Sequence, residues 1–219
     1  MKNSRAIKDL LYEQVARVGK AVSSPKRLEL IEVLSQGEKS VEQLAKEAEI
    51  SVKLASAHLK QLKSARLVET RREGKNIYYR LIDAEVASLW VVLRRLAEER
   101  LLELQAAMKA LVSRPDELSP LSGSELLRQT RRGDVVVIDV RPEDEYHTAH
   151  LPNARSIPLP ELKQRLSELP RTRPIVAYCR GPFCLMAKDA VELLTKRGFS
   201  AVRLEQGVAE WRSLGLPLA

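Results

Sequence analysis

The sequence predicts a multi-domain protein in which a mainly α-helical domain with one β-hairpin precedes an α/β domain with a parallel sheet. The first half has long segments with apolar residues at helical spacing. The second half alternates short apolar strands with helical segments. Between them, residues 113–119 are charged and proline-containing, without a periodic apolar pattern. The predicted domains are therefore residues 1–112 and 120–219, joined by this linker, and each is large enough for its own core.

Charge and hydropathy restrict the partners of the chain. The formal net charge is +8, of which residues 1–113 carry +6. This excess suggests that the first domain binds an anionic polymer. Residues 1–20 are charged and lack the apolar run of a secretory signal. No segment approaches the ~18 uninterrupted apolar residues of a membrane span. We therefore expect a cytoplasmic protein that has no membrane partner.

The first domain reads as five helices and a hairpin. The predicted helices cover residues 5–20, 24–37, 40–48, 51–64 and 83–112. Ser40 and Gln43 fit a capping box at the start of the third helix, and Asp83 fits an N-cap of the last. Two alternating strands, 67–72 and 76–81, flank a basic turn. They predict a hairpin that follows the fourth helix directly.

Two short helices followed by a basic hairpin form a winged helix-turn-helix. The second of these helices enters the major groove of DNA, and the wing reaches phosphates or the minor groove. Leu54, Leu59 and Leu62 recur at core spacing on that helix. The predicted DNA-binding residues lie on its exposed part and on the wing, where cations contact the sugar–phosphate backbone: Lys53, Ser56, Ala57, His58, Lys60, Arg71, Arg72, Lys75 and Arg80.

Both cysteines of the chain lie in a loop between a predicted strand, 175–178, and a predicted helix, 185–196. The loop residues are Cys179, Arg180, Gly181, Pro182, Phe183 and Cys184. Amide N–H groups and the helix dipole favour an anion there, and a thiol in this position has its pKa lowered from about 8.5 into the roughly 3.5–7.5 range. We therefore expect Cys179 to be an exposed, ionised nucleophile. The alternatives are a small buried apolar residue or a structural disulfide, which a reducing cytoplasm disfavours.

Residues 5–112 resemble the arsenic-repressor (ArsR-type) winged-helix regulators. The resemblance rests on a Ser-x-His-Leu-Lys-x-Leu motif from Ser56 to Leu62 and an Arg-x-Gly-x-x-x-Tyr-Tyr motif from Arg72 to Tyr79. It implies a homodimer, formed by the first and last helices, that binds a palindromic operator in double-stranded DNA. The last helix has an apolar surface for this purpose, although the same residues could instead form an intramolecular core: Leu89, Leu93, Leu96, Leu101, Leu104 and Met108.

Metal sensing is not expected. The metal-sensing members of the family carry cysteines before the recognition helix, or His and Asp on the dimer helix. Residues 40–48 contain no Cys or His, and the last helix contains no His. The usual zinc or nickel ligand set is therefore missing. We expect no metal and no cofactor.

Residues 119–219 resemble rhodanese domains in three collinear motifs. The first is Ile138-Asp139-Val140-Arg141 with the segment 145–158, the second is the Cys179 loop, and the third is the segment 204–217. The resemblance implies that Cys179 is the catalytic residue and accepts a sulfane sulfur as a persulfide, cradled by the amides of residues 180–184. Asp139 and Arg141 are expected to orient this loop. Cys184 stands where the family often has an arginine, and the side chain of Arg180 could point outward.

Two histidines of this domain, His147 and His150, are interpreted as structural. Glycines are usual in the family where Ala149 and Asn153 stand. Both of these losses are expected to be tolerated.

These features lead us to expect a dimeric transcriptional regulator, a repressor, whose rhodanese domain senses sulfane sulfur. A polysulfide, a low-molecular-weight persulfide or thiosulfate would load Cys179, and Cys184 would then attack. One alternative is a thiosulfate or persulfide sulfurtransferase with an auxiliary DNA-binding domain. Another is a degenerate domain that only mediates docking or dimerisation.

Overall fold

The structure is a computed structural model that describes residues 2–111, 118–119 and 121–219. The chain forms two compact units, Met1–Trp90 and Val91–Ala219. The predicted boundary was residues 113–119, most of which lie outside the described residues. One helix, α5, begins in the first unit, and its residues from Val91 onward belong to the second.

The first unit contains helices packed on a small antiparallel sheet. Its strand order is β1-β3-β2, so β3 is central. In chain order the elements are α1 (Lys2–Val22), α2 (Pro25–Leu34), β1 (Lys39–Ser40), α3 (Val41–Glu47), α4 (Val52–Ser64), β2 (Val68–Glu73), β3 (Asn76–Leu81) and α5 (Ala84–Arg100).

Capping side chains and aliphatic packing hold these elements in place. The amide of Gln43 donates to Ser40 Oγ at 3.3 Å, while the Ser40 amide donates to Gln43 Oε1 at 2.8 Å. This confirms the predicted capping box. The Asp83 carboxylate accepts from the Glu85 amide at 2.9 Å at the start of α5. Leu59 and Leu62 of α4 are fully buried, as their spacing predicts.

The second unit is a parallel sheet with helices on both faces. The strand order is β5-β4-β6-β7, and all pairs are parallel. A short 3₁₀ helix, Leu166–Glu168, lies between α9 and β6. In chain order the other elements are α6 (Leu102–Leu111), α7 (Gly123–Arg132), β4 (Val136–Asp139), α8 (Glu143–Thr148), β5 (Arg155–Ser156), α9 (Leu159–Leu162), β6 (Ile175–Tyr178), α10 (Met186–Lys196), β7 (Ala201–Arg203) and α11 (Val208–Ser213).

Side chains along the central strands β4 and β6 point alternately to the two faces of the sheet, so the core of this unit consists of two clusters, one on each face. Ile175 and Ala177 of β6 pack with α9 and α10, and Cys179 belongs to the same cluster. Val176 and Tyr178 face the other way, toward α7 and α11. In the register of β4 and β6, Asp139 is opposite Tyr178. The sheet thus brings the ends of its two central strands together at the cysteine loop.

One predicted helix and one predicted core residue differ in the structure, and one strand is additional. The helix expected over 83–112 is interrupted at Leu101, where the Gln105 side chain donates to the Glu98 carbonyl at 2.8 Å. The strand β1 was not expected. Leu54, assigned to the core by spacing, is 43% exposed because Ala55 takes the buried position in that turn of α4.

Candidate functional site

The cysteine loop connects the end of β6 to the start of α10, as the sequence predicts. Cys179 and Cys184 are joined by a disulfide, and their Cα atoms are 6.5 Å apart. This separation lies within the usual range of about 4.4–6.8 Å for bridged cysteines. The amide of Cys184 donates to the Gly181 carbonyl at 3.1 Å and so closes a turn inside the loop. The loop therefore brings both thiols within bonding reach.

Cys179 is not exposed in this disulfide form, contrary to the expectation from the loop position. Its exposed fraction is only 2%, and it packs with Ala187 and Ala190 of α10. The reason is strand alternation, which directs position 179 to the face of the sheet that α10 covers. Cys184 is partly exposed. The two sulfur atoms thus differ in their access to solvent.

A fully buried network fixes the strand ends beneath the loop. Arg141 Nη2 donates to Asp139 Oδ2 at 2.6 Å, and Arg141 Nε donates to Oδ1 at 3.0 Å. The Tyr178 hydroxyl donates to Asp139 Oδ2 at 2.5 Å and accepts from the Leu151 amide. Arg141 also donates to the Ala149 carbonyl. Asp139 and Arg141 therefore hold Tyr178, the residue that precedes Cys179.

The network also changes proton affinities. Burial raises the pKa of Tyr178 well above its ordinary value, and the Asp139 charge raises it further. Burial is the largest single influence on Arg141 and would lower its pKa, but the hydrogen bonds to Asp139 and the neighbouring negative charges together raise the pKa. Both groups therefore keep their protons. The network therefore holds the strand end that leads into the loop. Neither Tyr178 nor Arg141 provides a proton acceptor with an ordinary pKa.

Arg180 points inward and does not project into solvent. Its guanidinium contacts Glu145 of α8, with Nε to Oε2 at 3.0 Å and Nη2 to Oε1 at 2.5 Å. Both side chains are more than nine-tenths buried. A bidentate pair of this kind fixes orientation as well as charge. The first residue after Cys179 is thus fixed to α8.

The start of α11 forms the other wall of the loop. A Cβ atom added at Gly207 would lie 2.6 Å from the carbonyl oxygen of Cys179 and from the carbonyl carbon of Arg180. Only glycine permits this close backbone approach. The Glu210 carboxylate accepts from the Gly207 amide at 2.7 Å and faces Gly181. Burial raises the pKa of Glu210, and the charge of Arg94 partly offsets this.

Arg94 of α5 also lies beside the loop, within the second unit. Its Nη2 is 3.1 Å from Glu210 Oε1, and its Cζ is 5.7 Å from the centroid of the Phe183 ring. Neither Arg94 nor Glu210 was among the site residues predicted from the sequence. The motif around Gly207 places Glu210 near the site, but nothing in the local sequence points to Arg94.

The predicted DNA-binding residues lie on α4 and on the β2–β3 hairpin. Lys53, Ala57 and Lys60 are exposed on α4, and Ser56 and His58 are half-buried. The wing residues Arg71, Arg72, Lys75 and Arg80 are all exposed.

Two of the four wing cations are already paired. Arg71 contacts Glu38 at 2.6 Å and Glu73 at 2.7 Å, and Arg80 contacts Glu69 at 2.6 Å. These partners reduce the charge that the two arginines offer to phosphate.

The remaining titratable residues form no metal site in the described part of the chain. There, no group of three or more His, Cys, Asp and Glu side chains is placed to hold a metal ion. His150 stacks on Tyr146 at 3.8 Å and bonds its carbonyl, whereas His147 is exposed beside Glu143. Among the described residues, no helix combines the length and the apolar composition needed to cross a membrane.

The class of protein follows from two family profiles, one for each of the two units, and from one relative of nearly full length. The family profile of bacterial regulatory proteins of the arsR family matches residues 24–70, and that of the rhodanese-like domain matches residues 122–214. The chain is 43% identical over 211 residues to the HTH-type transcriptional regulator Rv0324 of Mycobacterium tuberculosis, covering 96% of this chain and 92% of the relative. It therefore belongs to the arsR-family regulators that carry a C-terminal rhodanese domain.

Other similarities are confined to one domain. A sulfurtransferase of Allochromatium vinosum is 31% identical over 104 residues, which are 47% of this chain and 94% of the relative. The solution structure of the homodimeric winged helix-turn-helix domain of Mb0332 from Mycobacterium bovis is 44% identical. It covers 44% of this chain and 89% of that one, with a TM-score of 0.41.

Proposed function

We propose that this regulator is a cytoplasmic, dimeric repressor that responds to sulfane sulfur through Cys179 and Cys184. The observation that carries the proposal is the pairing of both cysteines in one six-residue loop, Cys179–Cys184, at the end of β6. Its regulator family supports the DNA-binding part. We propose residues 1–112 as the DNA-binding domain and residues 120–219 as the rhodanese-like domain. The sulfur-responsive part rests on the loop alone.

The chemistry proceeds in two exchange steps. In the first, the Cys179 thiolate attacks the sulfane sulfur of a persulfide, a polysulfide or thiosulfate. A new S–S bond forms at Cys179, and the donor leaves as a thiolate, a shorter polysulfide or sulfite. In the second, the Cys184 thiolate attacks Sγ of Cys179 and expels the outer sulfur as hydrosulfide. The product is the Cys179–Cys184 disulfide. Cys179 is buried in the disulfide form, so the reduced loop must open enough to admit the donor.

Charge and shape of the first unit support operator binding. The exposed residues Lys53, Lys60 and Lys75 have no acidic partner among the ion pairs described for that unit, and they are suited to contact phosphates. Ser56, Ala57 and His58 share the α4 surface, so base contacts are assigned to them. Arg72 extends the basic surface of the wing, while Arg71 and Arg80 must exchange carboxylate partners for phosphate.

Exposed apolar side chains support the homodimer. On α1, Leu10, Leu11 and Val15 are between 53% and 72% exposed. On α5, Leu89 and Leu96 are 38% and 41% exposed. An apolar surface of this kind on two helices is typical of an interface. We assign it to the contact with a second copy of the chain.

The test compares reduced and polysulfide-treated protein in operator titrations at one salt concentration, because phosphate-dominated affinity falls steeply with salt. We expect at least a tenfold difference in operator affinity, which corresponds to about 1.4 kcal/mol of coupling. After polysulfide treatment, the intact mass of the wild type should fall by two hydrogens, as expected for the disulfide. The mass of Cys184→Ser should rise by one sulfur atom, as expected for the Cys179 persulfide. Cys179→Ser should show neither change. Equal operator affinity of the two forms would refute the sensor.

A sulfurtransferase with an auxiliary DNA-binding domain is the second candidate. The observation that favours it is the 31% identity, over 104 residues, to the sulfurtransferase of Allochromatium vinosum. This function predicts multiple turnovers with thiosulfate and cyanide, and operator affinity that does not depend on loop chemistry. The same titration, combined with a turnover assay, separates the two functions.

A further inference from the structure

We propose that Arg94 binds the negatively charged group of the sulfur donor at the cysteine loop. The donor class is a small anionic sulfane-sulfur compound, such as thiosulfate or a deprotonated persulfide. This inference rests on the proposed function and names the residue that recognises the donor. Arg94 and the loop both belong to the second unit.

The Arg94 side chain is buried against the middle of the loop. Its exposed fraction is 5%. Its Cζ lies 5.7 Å from the centroid of the Phe183 ring, a distance typical of a cation–π contact. Its Nη1 lies 3.5 Å from the position that a Cβ would take at Gly181. The guanidinium is therefore held beside the segment between the two cysteines.

Part of this guanidinium has no hydrogen-bond partner in the described structure. Nη2 pairs with Glu210 at 3.1 Å, whereas Nη1 and Nε are buried without a hydrogen bond among the described residues. Nε forms an ion pair with Glu98 Oε1 at 3.4 Å, without the geometry of a hydrogen bond. A buried donor without an acceptor is unfavourable unless a ligand supplies one. The forked N–H groups of arginine suit oxyanions and related acceptors.

The other arginine at the loop cannot take this role in the same conformation. Arg180 directs Nε and Nη2 to Glu145, on α8. Breaking that buried pair would remove a guanidinium that holds the buried Glu145 carboxylate, which is costly. Arg94 keeps Nη1 directed to the loop while Nη2 remains on Glu210. An anion can therefore bind Arg94 without the loss of an existing ion pair.

Nearby carboxylates do not remove this capacity. The Glu210 carboxylate accepts from the Gly207 amide at 2.7 Å and pairs with Nη2 of Arg94, and its oxygens lie 3.3 and 3.4 Å from the Cβ position at Gly181, beside Nη1 at 3.5 Å. The Glu98 oxygen beside Arg94, Oε1, is buried without a hydrogen bond among the described residues, and it faces Nε and not Nη1. Nη1 thus remains the donor that faces Gly181.

The test measures thiosulfate binding to the full-length chain with Cys179→Ser and Cys184→Ser, where no sulfur transfer can occur. Calorimetric titration is done at constant ionic strength. Adding Arg94→Gln should weaken thiosulfate binding about tenfold or more, as expected for loss of a charged hydrogen bond. The thiosulfate affinity of Arg94→Lys should lie between that of the parent and that of Arg94→Gln. Arg95→Gln is the matched control, because Arg95 is adjacent, 64% exposed and paired with Glu99 on its own helix. It should bind within twofold of the parent.

If Arg94→Gln folds poorly, a kinetic measurement on Arg94→Lys tests the proposal instead. In the Cys184→Ser background, Arg94→Lys should slow Cys179 persulfidation by thiosulfate. It should leave unchanged the rate at which the Cys179 thiolate attacks a neutral organic trisulfide, which forms a mixed disulfide or trisulfide and expels a persulfide or a thiolate. An equal effect on both donors, or thiosulfate affinity that does not depend on residue 94, would overturn the proposal. So would absence of thiosulfate binding to the parent. None of these results depends on operator affinity, which tests the sensor separately.

Discussion

Replacing Gly207 with alanine should distort the cysteine loop without touching either sulfur. The new Cβ would lie 2.6 Å from Cys179 O and from Arg180 C, about 0.9 Å closer than the optimal contact of about 3.5 Å. Both neighbours are backbone atoms, so neither can rotate away. Overpacking of this kind costs about 1–3 kcal/mol. We expect the melting temperature of the second unit to fall by about 4–12 °C, at about 4 °C for each kcal/mol.

Differential scanning calorimetry of the reduced full-length protein measures this shift. The rate of Cys179 persulfidation, followed by intact mass, provides a second readout and should fall. Gly19→Ala serves as the control, because nothing lies within 4 Å of its added Cβ and alanine is favoured in a helix. If Gly207→Ala melted and reacted like the wild type, the close approach of α11 to the loop would be wrong.

Three further predictions concern charge. Asp139→Asn removes the carboxylate that pairs with the buried Arg141, so urea unfolding should show a loss of about 3–5 kcal/mol in the second unit; a loss below about 1 kcal/mol would contradict the network. The pKa of Glu210 is raised in the folded protein above its ordinary value of 4.5. Protonated Glu210 therefore contributes to the free energy of unfolding in full below pH 4.5, and this contribution is lost as the pH rises through the pKa of the folded state. Urea unfolding of Glu210→Gln across pH should lack this decline, and a parallel decline in both proteins would exclude Glu210 as its source. Lys75→Ala should reduce the salt slope of operator binding by about 0.9 for each phosphate contact, and Arg71→Ala by less because Arg71 is already paired; equal slopes in a fluorescence anisotropy titration would refute this ranking.

The fold could be predicted because its signals are local. The Ser40 capping box and the alternation in residues 76–81 depend on neighbours within a few positions. The parallel arrangement of β4 and β6 also follows from their apolar composition, and it brings Asp139 beside Tyr178. The break at Leu101 could not be predicted, because it accompanies one side-chain bond from Gln105.

The site was only partly predictable from the sequence. Cys179 and Asp139 could be placed together because parallel strands end at one edge of the sheet. The burial of Cys179 had a signal that was not used: position 179 continues the alternation of Ile175 and Ala177. The contact of Arg94 with Glu210 joins residues more than one hundred positions apart. Such a pairing depends on tertiary distances, which residue patterns do not encode.

The unequal exposure of the two cysteines determines how the oxidised protein can be restored. A cellular thiolate can approach the partly exposed sulfur of Cys184, whereas Cys179 is covered by α10. Reduction should therefore begin with a mixed disulfide on Cys184 and release Cys179 first. Recovery then follows a fixed order, and bulky reductants should act more slowly than small ones.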